Sequence, residues 1–195
     1  MTLYLASTSP RRHQLMKLLR LPFLTLRPRT TEQSGSAGRP RRDAVSNARA
    51  KALSVAPAAR RGLVIGVDTV VALGRLVLGK PASAADARRM LELLSGRTHA
   101  VVTGLAVVHL PGRRVCACAE TTQVTFRRLS RREVESYVRS AEPYDKAGGY
   151  AIQGAAARFV KRLSGSYSNV VGLPVYRLLA LLREAGLPPG PDLRA

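Results

Sequence analysis

The sequence predicts an α/β fold, and three observations carry that expectation. The chain opens as a short strand, a turn of small residues and a capped helix. A continuous apolar run rich in Val and Ile crosses its middle at residues 63–73. Segments of helical periodicity then alternate with strand-like segments as far as residue 185. At 195 residues the chain fits one domain, or one domain with two lobes. Residues 1–186 are expected to form that domain, and residues 187–195, LPPGPDLRA, a disordered tail.

Residues 2–6, TLYLA, read as the first strand. Ser9 is a natural N-cap and Pro10 a natural first helical residue, and Leu15, Leu18 and Leu19 follow at helical spacing. Ser7 and Ser9 thus lie where a helix N-terminus leaves N–H groups for an anion. Arg11 and Arg12 oppose the helix dipole there, which is easier to understand if an anion sits at that end. The alternative is two solvated arginines in an arginine-rich chain.

Residues 22–27 read as a second strand, and residues 28–42 as a polar loop carrying one acid, Glu32. A lone loop acid is either solvated or turned toward a metal or an incoming substrate. Asp43 can cap a helix from Ala44 to about Ala56, with Lys51 near its end as a solvated lysine. Residues 63–73, LVIGVDTVVAL, read as a strand buried on both faces. One carboxylate, Asp68, interrupts it, and an ionised Asp there is costly unless paired, hydrogen-bonded or bound to a metal. The plainer reading ends the strand at Asp68-Thr69 and makes Asp68 a turn cap.

Residues 70–78 read as a hairpin turning at Gly74-Arg75. Gly74 to Lys80 imitates the start of a P-loop, but Pro81 stands where Ser or Thr is required and no helix follows the glycines. Lys80 can still bind phosphate as a point charge. Ser83 caps a clear helix with Met90, Leu91 and Leu94 inward, ended by Gly96. Residues 98–110 and 114–126 read as an antiparallel pair around Pro111-Gly112-Arg113. Ser130 caps a helix with Val134 and Val138 inward. Residues 142–158, EPYDKAGGYAIQGAAAR, have no period, and long irregular segments in compact domains tend to be functional. Gln153 offers a donor and an acceptor suited to a base edge. Residues 159–163 read as a strand, residues 165–169 as a turn and residues 174–185 as an amphipathic helix.

Composition narrows the function. The formal charge is +20, and 27 of the 32 basic residues are arginine, a skew typical of GC-rich coding. Aromatics are 5% with no Trp, so the interleaved aromatics of a nucleic-acid surface are missing and nucleic acid is not an expected partner. No run reaches the ~18 apolar residues of a membrane span. The N-terminus is apolar first and basic afterwards, the reverse of a secretory signal, so a cytoplasmic location is expected. Cys116 and Cys118 lie at i and i+2 on one strand face and read as buried structural thiols.

A helix-capped anion site, lysines, a strand carboxylate and a loop with a base-reading Gln are together what phosphoanhydride hydrolysis needs. The motifs LASTSPRR, VIGVDTVV, LGKP, LLSGRTHAVVTG, EPYDKAGGYAIQG and GSYSNVVGLP, in this order, resemble the Maf family of nucleotide pyrophosphatases over nearly the whole chain. The resemblance implies an α/β fold of two lobes around an elongated mixed sheet with a central cleft, and a homodimer. It implies hydrolysis of a nucleoside triphosphate to monophosphate and pyrophosphate with a divalent cation, Mg²⁺ or Mn²⁺. By motif, Asp68 is the proton acceptor or a metal ligand, and Ser9, Arg11 and Arg12 clasp the triphosphate. Glu32 is the loop acid and second metal ligand, and Lys51 and Lys80 bind phosphate. Arg11, Thr69 and Gln153 resemble the markers of the branch that takes dTTP and UTP rather than 7-methyl-GTP. That reading makes the protein a house-cleaning enzyme of the nucleotide pool, with a link to arrest of cell division. The competing readings are a basic nucleic-acid-binding protein and a septum regulator without catalysis. The sequence departs from the family pattern at Val67, where alanine is usual, at Gly149 and Ala151, and through the arginine-rich stretch around Glu32.

Overall fold

The computed structural model describes residues 1–30 and 38–188. Its elements, in order, are β1 (Leu3–Ala6), α1 (Pro10–Leu18), β2 (Phe23–Leu26), α2 (Pro40–Val55), β3 (Gly62–Leu73), β4 (Leu76–Leu78) and α3 (Ala84–Leu94). They continue as β5 (Thr98–Leu110), β6 (Arg114–Phe126), α4 (Arg131–Val138), β7 (Val160–Ser164), α5 (Tyr167–Val171) and α6 (Val175–Glu184). The strands form one mixed sheet of order β2-β1-β3-β5-β6-β7, with β4 on the far part of β3. β1 runs parallel to β2 and β3, and the other pairings are antiparallel.

The long strands β3 and β5 run through two hydrophobic cores on the same sheet face. Leu63, Ile65 and Val67 of β3 join Leu105 and Val107 of β5 and the buried residues of α1 and α6 in the first. Val71 of β3 and Val101 of β5 join α3 and α4 in the second. Thr69 and Thr103 fall between the two, so the sheet is shared and the helices above it divide into two lobes with a cleft between them.

Helix α2 covers the opposite face. Ala44 and Ala48 lie directly on the sheet because the strands offer glycine beneath them. A Cβ at Gly66 would lie 2.0 Å from the Ala48 carbonyl oxygen, and one at Gly104 2.2 Å from that of Ala44. Alternation on β3 places Asp68 on the Gly66 face, toward α2.

The edge of β3 is what opens the cleft. β1 ends at Ala6 opposite Gly66, and β4 begins to pair at Val71. Residues 67–70 keep β5 on one side and, among the described residues, no strand on the other. Asp68 and Thr69 reach this gap from opposite faces.

Several sequence expectations need correction. β3 continues to Leu73, as one strand over residues 63–73 requires, and the alternative that ends it at Asp68-Thr69 with Asp68 as a turn cap is overturned. α2 begins at Pro40, which takes the first helical position that proline favours, and the expected cap Asp43 sits in the first turn instead. In α1 the buried positions are Leu15 and Met16, with Leu19 behind them, while Leu18 is 73% exposed. Residues 167–171 are not a turn but the short helix α5, capped by Ser166. Leu187, placed in the expected tail, packs on the first core, and its N–H donates to the Leu182 carbonyl at 2.9 Å. Residues 189–195 lie outside the described residues. Cys116 is buried and Cys118 half-buried, and burial raises both thiols.

The second core contains a buried imidazole. His99 Nε2 lies 2.8 Å from the Tyr150 hydroxyl, with the Phe126 ring edge-on to both. Burial lowers His99 from 6.5 to about 4. The unfolded chain takes up this proton below pH 6.5, and the folded protein does not until about pH 4. The stability that the neutral ring contributes is therefore full above the higher value and lost as pH falls toward the lower one, by about 3 kcal/mol. His99→Gln should shrink the stability difference between pH 7 and pH 4.5 in urea titrations by roughly 2 kcal/mol relative to wild type. Parallel pH dependences of the two proteins would contradict this.

Candidate active site

The cleft has a volume of about 710 Å³, within the usual range for a small-molecule site. Its described lining includes the cations Arg11, Arg12, Lys51, Lys80 and Lys146 against the carboxylates Asp68 and Asp145. That balance favours a polyanion.

The floor is β3 with α2 behind it. Lys51 Nζ donates to Asp68 Oδ1 at 2.6 Å, and Asn47 Nδ2 donates to Oδ2 at 3.1 Å. All three residues are buried. The expected solvated lysine is thus turned inward, because α2 lies on the two strand glycines and directs this side chain at the gap in β3. Asn47 was not foreseen. It precedes Lys51 by one helical turn, and that i, i+4 spacing is the signal that would have found it.

One wall is the turn from β1 into α1. Ser9 is the N-cap, as expected, but its side chain makes no capping hydrogen bond, and the first turn carries no acid. The helix end is therefore left to attract an anion. Ser7 Oγ accepts from the Ser9 N–H at 3.2 Å and braces the turn. Arg12 is braced more firmly. Its Nε donates to the Gly172 carbonyl at 2.9 Å, Nη1 to Ser7 Oγ at 3.3 Å and Nη2 to Thr69 Oγ1 at 3.1 Å. Thr69 in turn shares a 2.9 Å hydrogen bond with Thr103, which donates to the Asn169 carbonyl at 3.3 Å. Arg12 so ties α1 to β3 and to the loop after α5.

The opposite wall comes from the second lobe. Lys80 is exposed at the rim, and the Gly79 carbonyl beside it accepts from the Gly148 N–H at 2.9 Å. Gly148 has φ +71°, and a Cβ there would lie 3.0 Å from three carbons of Val71, so this position requires glycine. Lys146 pairs with Asp145, whose other oxygen lies 4.0 Å from Arg11 across the cleft. Burial pushes the Asp145 carboxyl up, but Lys146 and Arg11 outweigh it and hold it below its ordinary range. Gln153 is exposed and faces the same space.

The structure thus brings Ser9, Arg11, Arg12, Lys51, Asp68, Thr69, Lys80 and Gln153 to one cleft. Glu32 lies outside the described residues. Among the described residues no helix is long and apolar enough to cross a membrane.

Comparison with known proteins identifies the family. The family model described as Maf-like protein matches residues 2–185. The chain belongs to the Maf family. A dTTP/UTP pyrophosphatase of Carboxydothermus hydrogenoformans is 46% identical, over 95% of this chain and all of the relative. Proteins of the same name from Sphingopyxis alaskensis and Aquifex aeolicus are 47% and 44% identical over 96% of this chain, and over 98% and 97% of their own lengths. Among solved structures, a HAM1 protein from Coxiella burnetii superposes with a TM-score of 0.53 at 17% identity, over 94% of this chain and 99% of that one. That likeness shows a shared fold.

Proposed function

We propose that this chain is a nucleoside triphosphate pyrophosphatase that hydrolyses dTTP and UTP, and modified pyrimidine nucleotides, to the monophosphate and pyrophosphate. The observation that carries the reading is Asp68, buried on Lys51 and Asn47 at the open edge of β3 in a cationic cleft. The names of the relatives and the family membership support it. Residues 1–186 act as one domain, in the cytoplasm as the N-terminus suggests, and as a homodimer as the family resemblance implies.

Arg11, Lys80 and Lys146 draw the triphosphate into the cleft, and the uncapped N–H groups of α1 take phosphate oxygens. Arg12 meets the chain of phosphates already braced by Gly172, Ser7 and Thr69, so little freedom is lost on binding. Asp68 accepts the proton of a water whose oxygen attacks the α-phosphorus. The bond from that phosphorus to the bridging oxygen breaks, and pyrophosphate leaves with its charge held by the surrounding cations. Asn47 keeps the carboxylate oriented when Lys51 turns toward phosphate. Gln153 reads the base.

Among the described residues no group of three or more His, Cys, Asp or Glu side chains gathers, and Asp68 is the carboxylate at the open edge of β3 that would meet a divalent cation held largely by substrate phosphates. Carboxylate oxygens are the hard ligands that Mg²⁺ and Mn²⁺ take, commonly one or two of them with substrate phosphates completing the shell. Asp68 would hold the ion, with Glu32 as the second carboxylate. When bound, the ion neutralises charge on the phosphate oxygens.

Pyrophosphate release from dTTP, UTP, CTP, GTP, ATP and 7-methyl-GTP, with Mg²⁺ or Mn²⁺, tests the reading. Turnover concentrated on dTTP and UTP is expected. No release from any nucleotide by the folded, metal-supplied protein would sink it.

A further inference from the structure

Lys146 and Gln153 reach the cleft from residues 142–158, which form only two short 3₁₀ turns, Ala147–Gly149 and Ala155–Phe159. Regular backbone pairing does not hold this segment in place. Glu142 does, from outside the cleft lining.

Glu142 bonds to both ends of the segment. Its backbone carbonyl accepts from Lys146 Nζ at 2.8 Å. Its carboxylate accepts from the Ala155 amide at 2.9 Å and the Ala156 amide at 3.4 Å. The same carboxylate accepts from the Tyr137 hydroxyl at 2.8 Å, and that hydroxyl oxygen accepts from the Ala151 amide at 3.3 Å. Tyr137 is 2% exposed and packs edge-on to Phe159, with ring centroids 5.2 Å apart, so it is fixed in the second core. Gly154 lies against the carboxylate so closely that a Cβ there would be 2.2 Å from Oε1. Hydrogen bonds to an ionised carboxylate are about twice as strong as neutral ones. Gln153 stands between Ala151 and Ala155, which this one assembly holds, and its own side chain is left to the cleft.

We propose that Glu142 is a specificity-positioning residue: by clamping residues 151–156 to α4 through Tyr137, it sets where the Gln153 amide meets the substrate's base. The proposal rests on the pyrophosphatase reading. An amide discriminates bases only if its donor and acceptor ends are fixed. Uracil offers an N–H donor at N3 beside a carbonyl, and cytosine reverses that order. With its backbone held at residues 151, 155 and 156, Gln153 presents its amide to one place on the base edge, while a wandering segment lets it adapt to either base.

The test compares kcat/KM for UTP and CTP in wild type, Glu142→Gln and Gly154→Ala. Glu142→Gln keeps the shape but leaves one oxygen to serve the Ala155, Ala156 and Tyr137 donors, and removes the charge. Gly154→Ala keeps the charge and displaces the carboxylate. Each should lower the UTP-to-CTP ratio about tenfold, mostly through KM for UTP, with kcat for UTP changed less than about threefold. In a Gln153→Ala background, Glu142→Gln should leave the ratio where Gln153→Ala puts it. A merely structural role would lower kcat/KM for both nucleotides by one factor and keep the ratio, which overturns the proposal. So does an effect of Glu142→Gln that multiplies that of Gln153→Ala. Wild type that releases no pyrophosphate from UTP overturns the pyrophosphatase reading and the proposal with it, whereas an unchanged ratio overturns the proposal alone.

Discussion

Asp68→Asn should leave a folded protein whose kcat for pyrophosphate release from UTP and dTTP is reduced about 10³-fold. The substituted side chain has the same shape. Its one oxygen still accepts a hydrogen bond from Lys51 or Asn47, but the buried Lys51 ammonium loses its counter-charge, so the variant folds with its stability lowered by about 3 kcal/mol. What is lost is the proton acceptor, and with it the charge that orders water at the open edge of β3. Steady-state kinetics with circular dichroism on the same preparation checks both halves of the expectation. A loss of tenfold or less would mean that Asp68 does not accept the proton.

The second large effect falls on stability. The Lys51 and Asp68 side chains are 9% and 6% exposed and 2.6 Å apart. Removing one partner of a buried pair leaves the other charge uncompensated, which destabilises by about 3 kcal/mol or more. Lys51→Met should therefore lower the urea midpoint by an amount equivalent to about 3 kcal/mol. The double variant Lys51→Met with Asp68→Asn should recover most of that loss, because no buried charge remains. A single-variant loss below about 1 kcal/mol, the scale of a surface pair, would contradict the buried character of the contact.

Much of this was readable in the residues. The bounds of β5 and β6 follow from two strand-like runs around Pro111-Gly112-Arg113, and they match the structure. The cap and first turn of α1 were legible in Ser9-Pro10 because they depend on neighbouring residues alone. The start of α2 is ambiguous in sequence because Asp43 and Pro40 both carry start signals, and the helix begins at the proline. That Asp68 sits where β3 has an open edge could not be read locally. It depends on β1 stopping at Ala6 and β4 starting at Val71, distances in space that no window along the chain reports. The burial of Lys51 is the same kind of fact. It follows from Gly66 and Gly104 admitting α2 against the sheet, and a strand glycine in sequence says only that something approaches closely. Glu142 was hidden for a third reason: its partners, Tyr137 and Ala155, lie on either side of it in the chain and meet only when the irregular segment closes.

In the proposed reaction water, deprotonated toward Asp68, attacks the α-phosphorus of a pyrimidine nucleoside triphosphate. Single-turnover hydrolysis of UTP in ¹⁸O-labelled water, read by mass spectrometry of both products, tests it most directly. One labelled oxygen is expected in the monophosphate and none in pyrophosphate. Label in the pyrophosphate would place the attack at the β-phosphorus and contradict it.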